Sequence, residues 1–307
     1  MRNLSNFITQ RHGGTEFIRK IKEVCFTTNF LSDIEARVRV GSCGSWLILL
    51  IIFLGAITSC GGRSQANLVV AGSTSVQPYV ELLAEEFELL YPGSGIDIQG
   101  GGSSAGITAA ESGAADIGMS SRWLKRGEDE LWSIEIAKDG LAVIVHPDNP
   151  ISNLTLLQIR GIYAAIITDW SQLGGRQAKI HLIAREEGSG TRSAFEEMVM
   201  GSDNTSRRIT PRAIVQNSNG AVRQLVAGDP NSIGFISLGL VDQTVKAVKL
   251  DGVEATAENV MNGSYTLFRP FLFVTKAIPP TGLAMDFIDF ILSPRGKELM
   301  TQEGLIP

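Results

Sequence analysis

The stretch QGGGSSAGITAA, residues 99–110, decides how this chain is read. Within it, GSSAG fits G-x-S-x-G, the sharp strand-to-helix turn that carries the nucleophile of α/β-hydrolases, with Ser104 as that nucleophile. The same residues also make a glycine- and hydroxyl-rich turn opening a helix. Such a turn holds an anion through unpaired backbone N–H groups without reacting with it. The flanks agree with either reading: GIDIQG before it has strand character, and AGITAAESG after it is a run of small residues suited to a helix.

Working outward, strand and helix signals alternate. ANLVVAGSTSV reads as a short buried strand entering a glycine–hydroxyl turn, and VQPYVELLAEEFELLYPG as an amphipathic helix. In that helix Val80, Leu83, Ala84, Phe87 and Leu90 fall at helical spacing, Pro78 suits the first turn, and YPG ends it. ADIGMSSR gives a strand ending in hydroxyls, and DGLAVIVHPDNPI an apolar strand leading to a Pro/Asn crossover. KIHLIAREEGSGTRSAFEEMVM repeats the plan of residues 68–90: strand, glycine–hydroxyl turn, helix. YTLFRPFLFVTK is a return strand, and GLAMDFIDFILSPRGKELMTQEG forms closing helices. The alternation predicts an α/β fold of two lobes, each a mixed, mostly parallel sheet flanked by helices. The expected division is 67–148 with 265–307 for lobe I and 149–264 for lobe II.

The chain has 307 residues, 44% of them hydrophobic, 33 glycines and a net charge of −5. Nothing in that balance points to nucleic acid or to an acidic membrane surface. WLILLIIFLGAI, Trp46 to Ile57, is too short for a membrane span and suits the hydrophobic region of a signal peptide. Arg37 and Arg39 precede it. ITSC follows, resembling a lipobox with Ser59 just before Cys60, and then the polar tether GGRSQAN. The expectation is that residues 1–45 are either a genuine N-terminal extension or the product of a start codon placed too far upstream, followed by a leader over 46–59 and a lipidated Cys60 with its tether over 60–66. The alternatives are an ordinary cleaved signal or a short membrane anchor. Cys25, Cys43 and Cys60 are the only cysteines, so residues 61–307 hold no disulfide, thiolate metal site or cysteine nucleophile. Those residues carry 20 Lys and Arg against 28 Asp and Glu, so an anion would be held there by local geometry against the overall charge.

Four turns share one composition: GSTS (72–75), GGGSSAG (100–106), SSR (120–122) and GSGTR (188–192). At least three fall between a strand and a helix N-terminus, where free N–H groups and the helix dipole favour negative charge. Glycine lets the backbone approach a ligand, and Ser or Thr adds donors beside it. In open α/β sheets such turns line the crevice at the carboxyl ends of the strands. Arg185, at the end of KIHLIAR, supplies a guanidinium matched to oxyanion geometry, with Arg122 and Arg192 as further candidates. For these arginines the alternative is an ordinary ion pair with Glu186, Glu187 or Asp116.

Chain order weighs against the hydrolase reading. A triad would need a histidine late in the domain, but after Ser104 there are only His146, at the end of the crossover strand, and His181, in a strand expected to be buried. No G-x-x-x-x-G-K-[ST] phosphate loop occurs, and no His, Cys or carboxylate grouping has metal-ligand spacing. EDE (128–130) and EE (85–86) read as solvated helix faces, and Trp123, Trp132 and Trp170 as packing residues. Ser104 is expected to be a hydrogen-bond donor. No enzyme activity, cofactor or metal is expected.

AGSTSVQPYVELLAEEF, GGGSSAGITAAESGAADIGMSSRWLK, REEGSGTRSAFEEMV, SIGFISLGL and FILSPRGKELM resemble the phosphate-binding lipoproteins of ABC importers, the PstS family. The resemblance spans Asn67 to Pro307. It implies a type II periplasmic-binding-protein fold that closes on its ligand like a hinge, with no catalysis. It also implies an extracytoplasmic protein anchored by lipid at Cys60, monomeric, taking inorganic phosphate to a membrane permease and binding no nucleic acid. Carried over by position, it implies ligand contacts from Thr74, Ser75, Ser103, Ser104, Arg185, Ser189, Gly190 and Thr191, with Ser73 and Arg122 as lesser candidates. Ser121 is a departure, because some members have an aspartate there that accepts a hydrogen bond from protonated phosphate and repels sulfate. Serine is donor and acceptor both, so selectivity would come from another acceptor or be weaker. The alternatives within the fold are a receptor for sulfate, molybdate, tungstate or arsenate, and a phosphate sensor.

Overall fold

From Ala66 onward, short β-branched runs and amphipathic stretches alternate along the chain. The computed structural model describes residues 66–201, 208–276 and 279–307. The expected extension, leader, Cys60 and nearly all of the tether lie outside the described residues.

β1 (Ala66–Gly72) carries Leu68 and Val70 into the core. α1 (Gln77–Leu90) starts with Pro78 in its first turn, where a missing N–H breaks no helical bond. Its Tyr79, Val80, Leu83, Ala84 and Phe87 are buried, but Leu90, expected on the same stripe, is 57% exposed. The Tyr91 ring, 4.4 Å from that of Phe87 and stacked on it, covers the end of the helix instead. β2 (Ser94–Gly100) pairs parallel to one edge of β1. α2 (Ser103–Ser112) follows and stops at Gly113, whose φ of 78° is the left-handed cap that glycine adopts without strain. β3 (Ile117–Ser120) pairs parallel to the other edge of β1. α2 presses flat on these strands because Gly106 has no side chain; a Cβ there would collide with the Ala71 carbonyl oxygen and the Gly72 Cα.

β4 (Trp132–Val145) runs for 14 residues. Its first half, WSIEIAK, was not anticipated from the sequence. β5 (Asn153–Leu154) leads to α3 (Leu156–Tyr163), capped by Thr155 and Gln158 in a reciprocal box. β6 (His181–Arg185) is followed by α4 (Gly190–Phe195), which widens into a π turn over Glu196–Met200. β7 (Ile214–Gln216), α5 (Asn219–Ala227) and β8 (Ser232–Ser237) come next. β9 (Lys246–Ala247) pairs with β4, and β10 (Lys249–Leu250) with β5. After α6 (Ala257–Met261), β11 (Phe268–Thr275) returns, and α7 (Leu283–Leu292) and α8 (Pro294–Gln302) close the chain.

The strands follow the order β2-β1-β3-β11-β4-β8-β6-β7. Pairing is parallel on both flanks and antiparallel at the centre, where β4 meets β11 and β8. This is a mixed α/β architecture with parallel strand–turn–helix units on either side.

β4 is shared by two cores. Up to Gly140 it pairs with β11, and from Leu141 it pairs with β8. Ile136 and Ala137 pack with Val70, Phe87, Phe273 and Phe287 in one cluster. Beyond the change of partner, Leu141, Val143 and Val145 join Tyr163, Phe195 and Phe235, while Ala142 and Ile144 on the opposite face join Val222 and Ile236. The return is similar, since Leu267 belongs to the second core and Phe271 to the first. β4 thus changes partner at Gly140/Leu141, and the returning chain joins the first core by Phe271. The Pro/Asn break after His146 marks the end of a strand that has already changed cores.

Candidate functional site

The glycine–hydroxyl turns converge. Ser73, Thr74 and Ser75 link β1 to α1, Ser103 and Ser104 open α2, Ser121 and Arg122 follow β3, and Ser189, Gly190 and Thr191 open α4 just after Arg185 ends β6. All are at the carboxyl ends of parallel strands, where such folds place their crevice. Ser73, Ser75, Ser103, Ser121, Arg122, Arg185, Ser189 and Thr191 are buried. Three of the turns precede helices, as expected; SSR instead leads into turns before β4.

Hydrogen bonds join the two halves across this crevice. Ser75 Oγ is 2.9 Å from Thr191 Oγ1, Arg185 Nη2 donates to Thr74 Oγ1 at 3.0 Å, and the Ser104 amide donates to the Gly188 carbonyl at 3.1 Å. Gly190 sits against Ser103 and Ser121, and a Cβ there would overlap both hydroxyls. The Ser189 hydroxyl accepts from the Arg192 amide at 3.3 Å, capping its own helix.

Arg185 is only 1% exposed and is fully engaged. Nε and Nη2 clasp the two carboxylate oxygens of Glu186 at 2.9 and 3.0 Å, Nη1 reaches Thr191 Oγ1 at 3.4 Å, and Nη2 also donates to the Asn217 carbonyl at 3.3 Å. The ion pair with Glu186 thus leaves Arg185 in the crevice, bonded to Thr74 and Thr191. Glu187 is exposed and forms a loose ion pair with Arg192 at 3.9 Å, the alternative expected for that arginine. Arg192 is outside the site: it pairs with Glu196 and donates to the Arg185 carbonyl, fixing the strand end.

Arg122 is also buried, but its partner is Glu128, at 2.8 and 2.9 Å, rather than Glu186, Glu187 or Asp116. The Arg122 hydrogen bond holds the Glu128 carboxyl below the usual carboxylate range. Glu128 lies in a turn and so is not part of a solvated helix face. Arg122 Nη2 also donates to Ser104 Oγ at 3.2 Å, while Nε has no partner among the described residues. Ser104 therefore faces an arginine and not a histidine. His146 follows the end of β4, and His181 is half exposed at the start of β6, bonded to Asp229 at 2.6 Å, not buried as its apolar neighbours suggested. Trp123 is 57% exposed rather than packed, whereas Trp170 is buried with its N–H on the Asn231 carbonyl.

Four further residues complete the crevice: Asp139, Asn219, Ser237 and Arg269. Arg269 on β11 meets Asp139 on β4 at 3.1 and 3.0 Å, and both side chains are 1% exposed. Burial pushes the Asp139 carboxyl up against the downward pull of Arg269 and Ser237, and burial likewise pulls the Arg269 guanidinium down. Arg269 also donates to Ser121 Oγ at 3.3 Å and Ser75 Oγ at 3.1 Å; Asn219 Nδ2 donates to Ser75 Oγ at 2.8 Å. Ser237 Oγ donates to Asp139 at 2.7 Å. The signal for Arg269 was in view as a lone charge inside FRPFLF, an apolar run where an unpaired cation would be costly.

A donor-rich, buried, two-sided crevice is what a small oxyanion requires, and relatives with such folds are known. The PBP superfamily domain matches residues 58–295. The phosphate-binding protein PstS of Bacillus subtilis is 32% identical over 251 residues, covering 80% of this chain and 82% of that one. This chain belongs to the PstS family. The PstS of Pseudomonas aeruginosa strain PAO1 is 31% identical, covering 78% of this chain and 83% of its own length. Among solved structures, a phosphate ABC transporter substrate-binding protein of Clostridium perfringens with bound phosphate is 46% identical. Its TM-score is 0.75, covering 78% of this chain and 98% of its own. An ABC-type phosphate transport receptor from Vibrio cholerae is 38% identical, with a TM-score of 0.67, covering 78% and 99%. These PstS relatives are binding proteins, and the fold they share with this chain is that of a type II periplasmic binding protein.

Proposed function

We propose that this protein binds inorganic phosphate in the crevice between its two cores and delivers it to an ABC permease. The observation that carries the reading is the set of direct bonds from Thr74, Ser75 and Ser104 on one side to Arg185, Thr191 and Gly188 on the other. A tetrahedral anion between these turns would engage donors from both sides at once, so it binds the closed arrangement better than an open one and shifts the population toward it. The phosphate-binding names and bound phosphate of the relatives support this choice of anion.

In this reading Thr74, Ser75, Ser103, Ser104, Ser121, Arg185, Ser189, Gly190 and Thr191 form the ligand set, Ser75 and Ser121 acting through the Thr191 and Ser103 hydroxyls they contact, with Ser73 and Arg122 behind them. Lobe I comprises the β1–β3 units with α7 and α8, and lobe II the β6–β8 units. β4, which passes from β11 to β8 after Gly140, and β11, which pairs with β4 along its whole length, act as the hinge strands. The protein is a receptor and not an enzyme: Ser104 has an arginine beside it where a nucleophile would need a base. It works outside the cytoplasm as a monomer, tethered by lipid on Cys60.

Calorimetric titration of ligand-stripped protein with phosphate tests the reading. Saturable 1:1 binding at micromolar concentration or tighter is expected, equivalent to about −8 kcal/mol or more. A flat titration would remove phosphate as the ligand.

A further inference from the structure

Hydroxyl groups are ambivalent, but the structure removes that ambivalence at several positions in the crevice. A hydroxyl oxygen has two lone pairs, whereas guanidinium and amide N–H groups only donate. Ser75 Oγ receives Arg269 Nη2 and Asn219 Nδ2, which fill both lone pairs. Its contact with Thr191 Oγ1 must then be a donation. Thr191 Oγ1 thereby accepts from Ser75 and from Arg185 Nη1, leaving only its own hydrogen to offer.

A second chain has the same sense. Ser121 Oγ receives the Ser73 hydroxyl at 2.8 Å and Arg269 Nη1 at 3.3 Å, so its contact with Ser103 Oγ is also a donation. Ser103 Oγ already accepts from the Ser121 amide at 3.0 Å, and it too is left with only a hydrogen. Both chains start at Arg269, and Arg269 is fixed by Asp139.

We infer that Arg269, clamped by Asp139, is a positioning residue that polarises the hydroxyl network outward, so that Ser103 and Thr191 face the ligand as donors only and Ser121 does not accept its proton. This rests on the oxyanion-binding reading above and adds the selectivity of that same site. The charged groups around the network are Asp139 on β4, Arg269 on β11, Arg185 and Glu186 at the end of β6, and Arg122 with Glu128 beyond β3. Tyr79 on α1 lies close to Asp139 and is kept as the neutral phenol by burial. Asp139 is turned to Arg269 and Ser237, and Glu186 to Arg185, so neither carboxylate is directed at a bound anion. Thr74 and Ser104 each keep one lone pair beside the bonds they accept from Arg185 and Arg122, but with no carboxylate aimed at the ligand the crevice favours unprotonated oxyanion faces and tolerates sulfate.

The test is competition calorimetry on the protein, with inorganic phosphate and sulfate as probes, from mildly acid to mildly alkaline pH. Free phosphate loses its second proton near neutrality, as phosphate esters do at about pH 6. Sulfate should displace phosphate at about a hundredfold excess or less. Phosphate affinity should rise about tenfold across the pH range while sulfate affinity stays flat. In the charge-balanced variant Arg269→Met/Asp139→Asn, the freed lone pairs should weaken sulfate more than phosphate and flatten the pH profile. Ser121→Ala, which removes a single hydroxyl, should shift the ratio in the same direction and decides the matter if the double variant does not fold. Tight phosphate binding with no sulfate displacement at about a thousandfold excess would overturn the inference alone. An unchanged sulfate-to-phosphate ratio in both variants would also overturn it. Failure to bind either anion would take the proposed function down with it.

Discussion

Replacing Arg185 by alanine removes the guanidinium that spans the crevice and strands the carboxylate it holds. Arg185 makes two bonds to Glu186, one each to Thr74 and Thr191, and one to the Asn217 carbonyl. Truncating one partner of a buried, hydrogen-bonded charge pair costs about 2–5 kcal/mol in binding, much of it from the charge left behind. Here that charge is Glu186, a quarter exposed, which would face a bound anion with the same sign. Arg185→Ala should therefore weaken phosphate binding by about 3–4 kcal/mol, some two to three orders of magnitude in Kd. Glu186→Gln alone should tighten binding slightly, because it releases Arg185 from an intramolecular competitor. Arg185→Ala/Glu186→Gln should recover about 1–2 kcal/mol of the loss, since the repulsion has gone. Calorimetry on all four proteins, with thermal melts confirming the fold, closes the cycle. Retention of phosphate affinity within about threefold in Arg185→Ala would refute the argument, because a counter-charge cannot be lost so cheaply from a buried anion site.

Gly190→Ala should abolish tight phosphate binding with little change in melting temperature, since its Cβ would overlap the Ser103 and Ser121 hydroxyls only when the two sides meet; titration beside a thermal melt reads both. Gly106→Ala should do the reverse and lower stability by about 1–3 kcal/mol, because its Cβ meets backbone of β1 that has nowhere to move. Phe287→Ala, which empties a fully buried site beside Phe87 and Phe273, should cost about 3–5 kcal/mol in chemical denaturation. Glu128 has a folded-state carboxyl pKa below its unfolded value because Arg122 donates to it, so its contribution is present above the ordinary glutamate range and is lost as pH falls through the folded value. Glu128→Gln should accordingly flatten the acid limb of melting temperature against pH, and an unaltered limb would mean that the pair contributes nothing.

Legibility in the sequence followed the range of the interactions. The turns were readable because a strand–glycine–hydroxyl–helix junction is a local pattern, and Ser103, Ser189 and Thr191 stand where local chemistry put them. The length of β4 was not readable. Its first half has charged residues outward at Glu135 and Lys138, and only the pairing with β11 makes it a strand. The change of partner along β4 was unreadable for the same reason. A strand can change partners without a break in its own sequence, and DGLAVIV runs as one strand through the switch after Gly140.

Arg269 shows why the electrostatics were harder to read than the fold. The sequence marks it as an anomaly, a cation in an apolar strand, and burial of a cation demands a partner. But that partner, Asp139, is 130 residues away and the recipients of its other donors are further still. Because both sit on the strands that pass between the cores, one ion pair touches the turns of both sides: Ser75 and Ser121 through Arg269, and Ser237 through Asp139. Replacing such a pair by neutral groups of similar volume is often tolerated for stability, so a stability measurement alone would miss its importance. Its effect lies in the direction of the hydroxyl donations, which a sequence cannot encode locally and which follows once every donor-only neighbour is in place. The melting temperature of Arg269→Met/Asp139→Asn should therefore fall far less than its anion preference changes. A large loss of stability with unaltered preference would make the pair structural cement and return the origin of selectivity to the turns themselves.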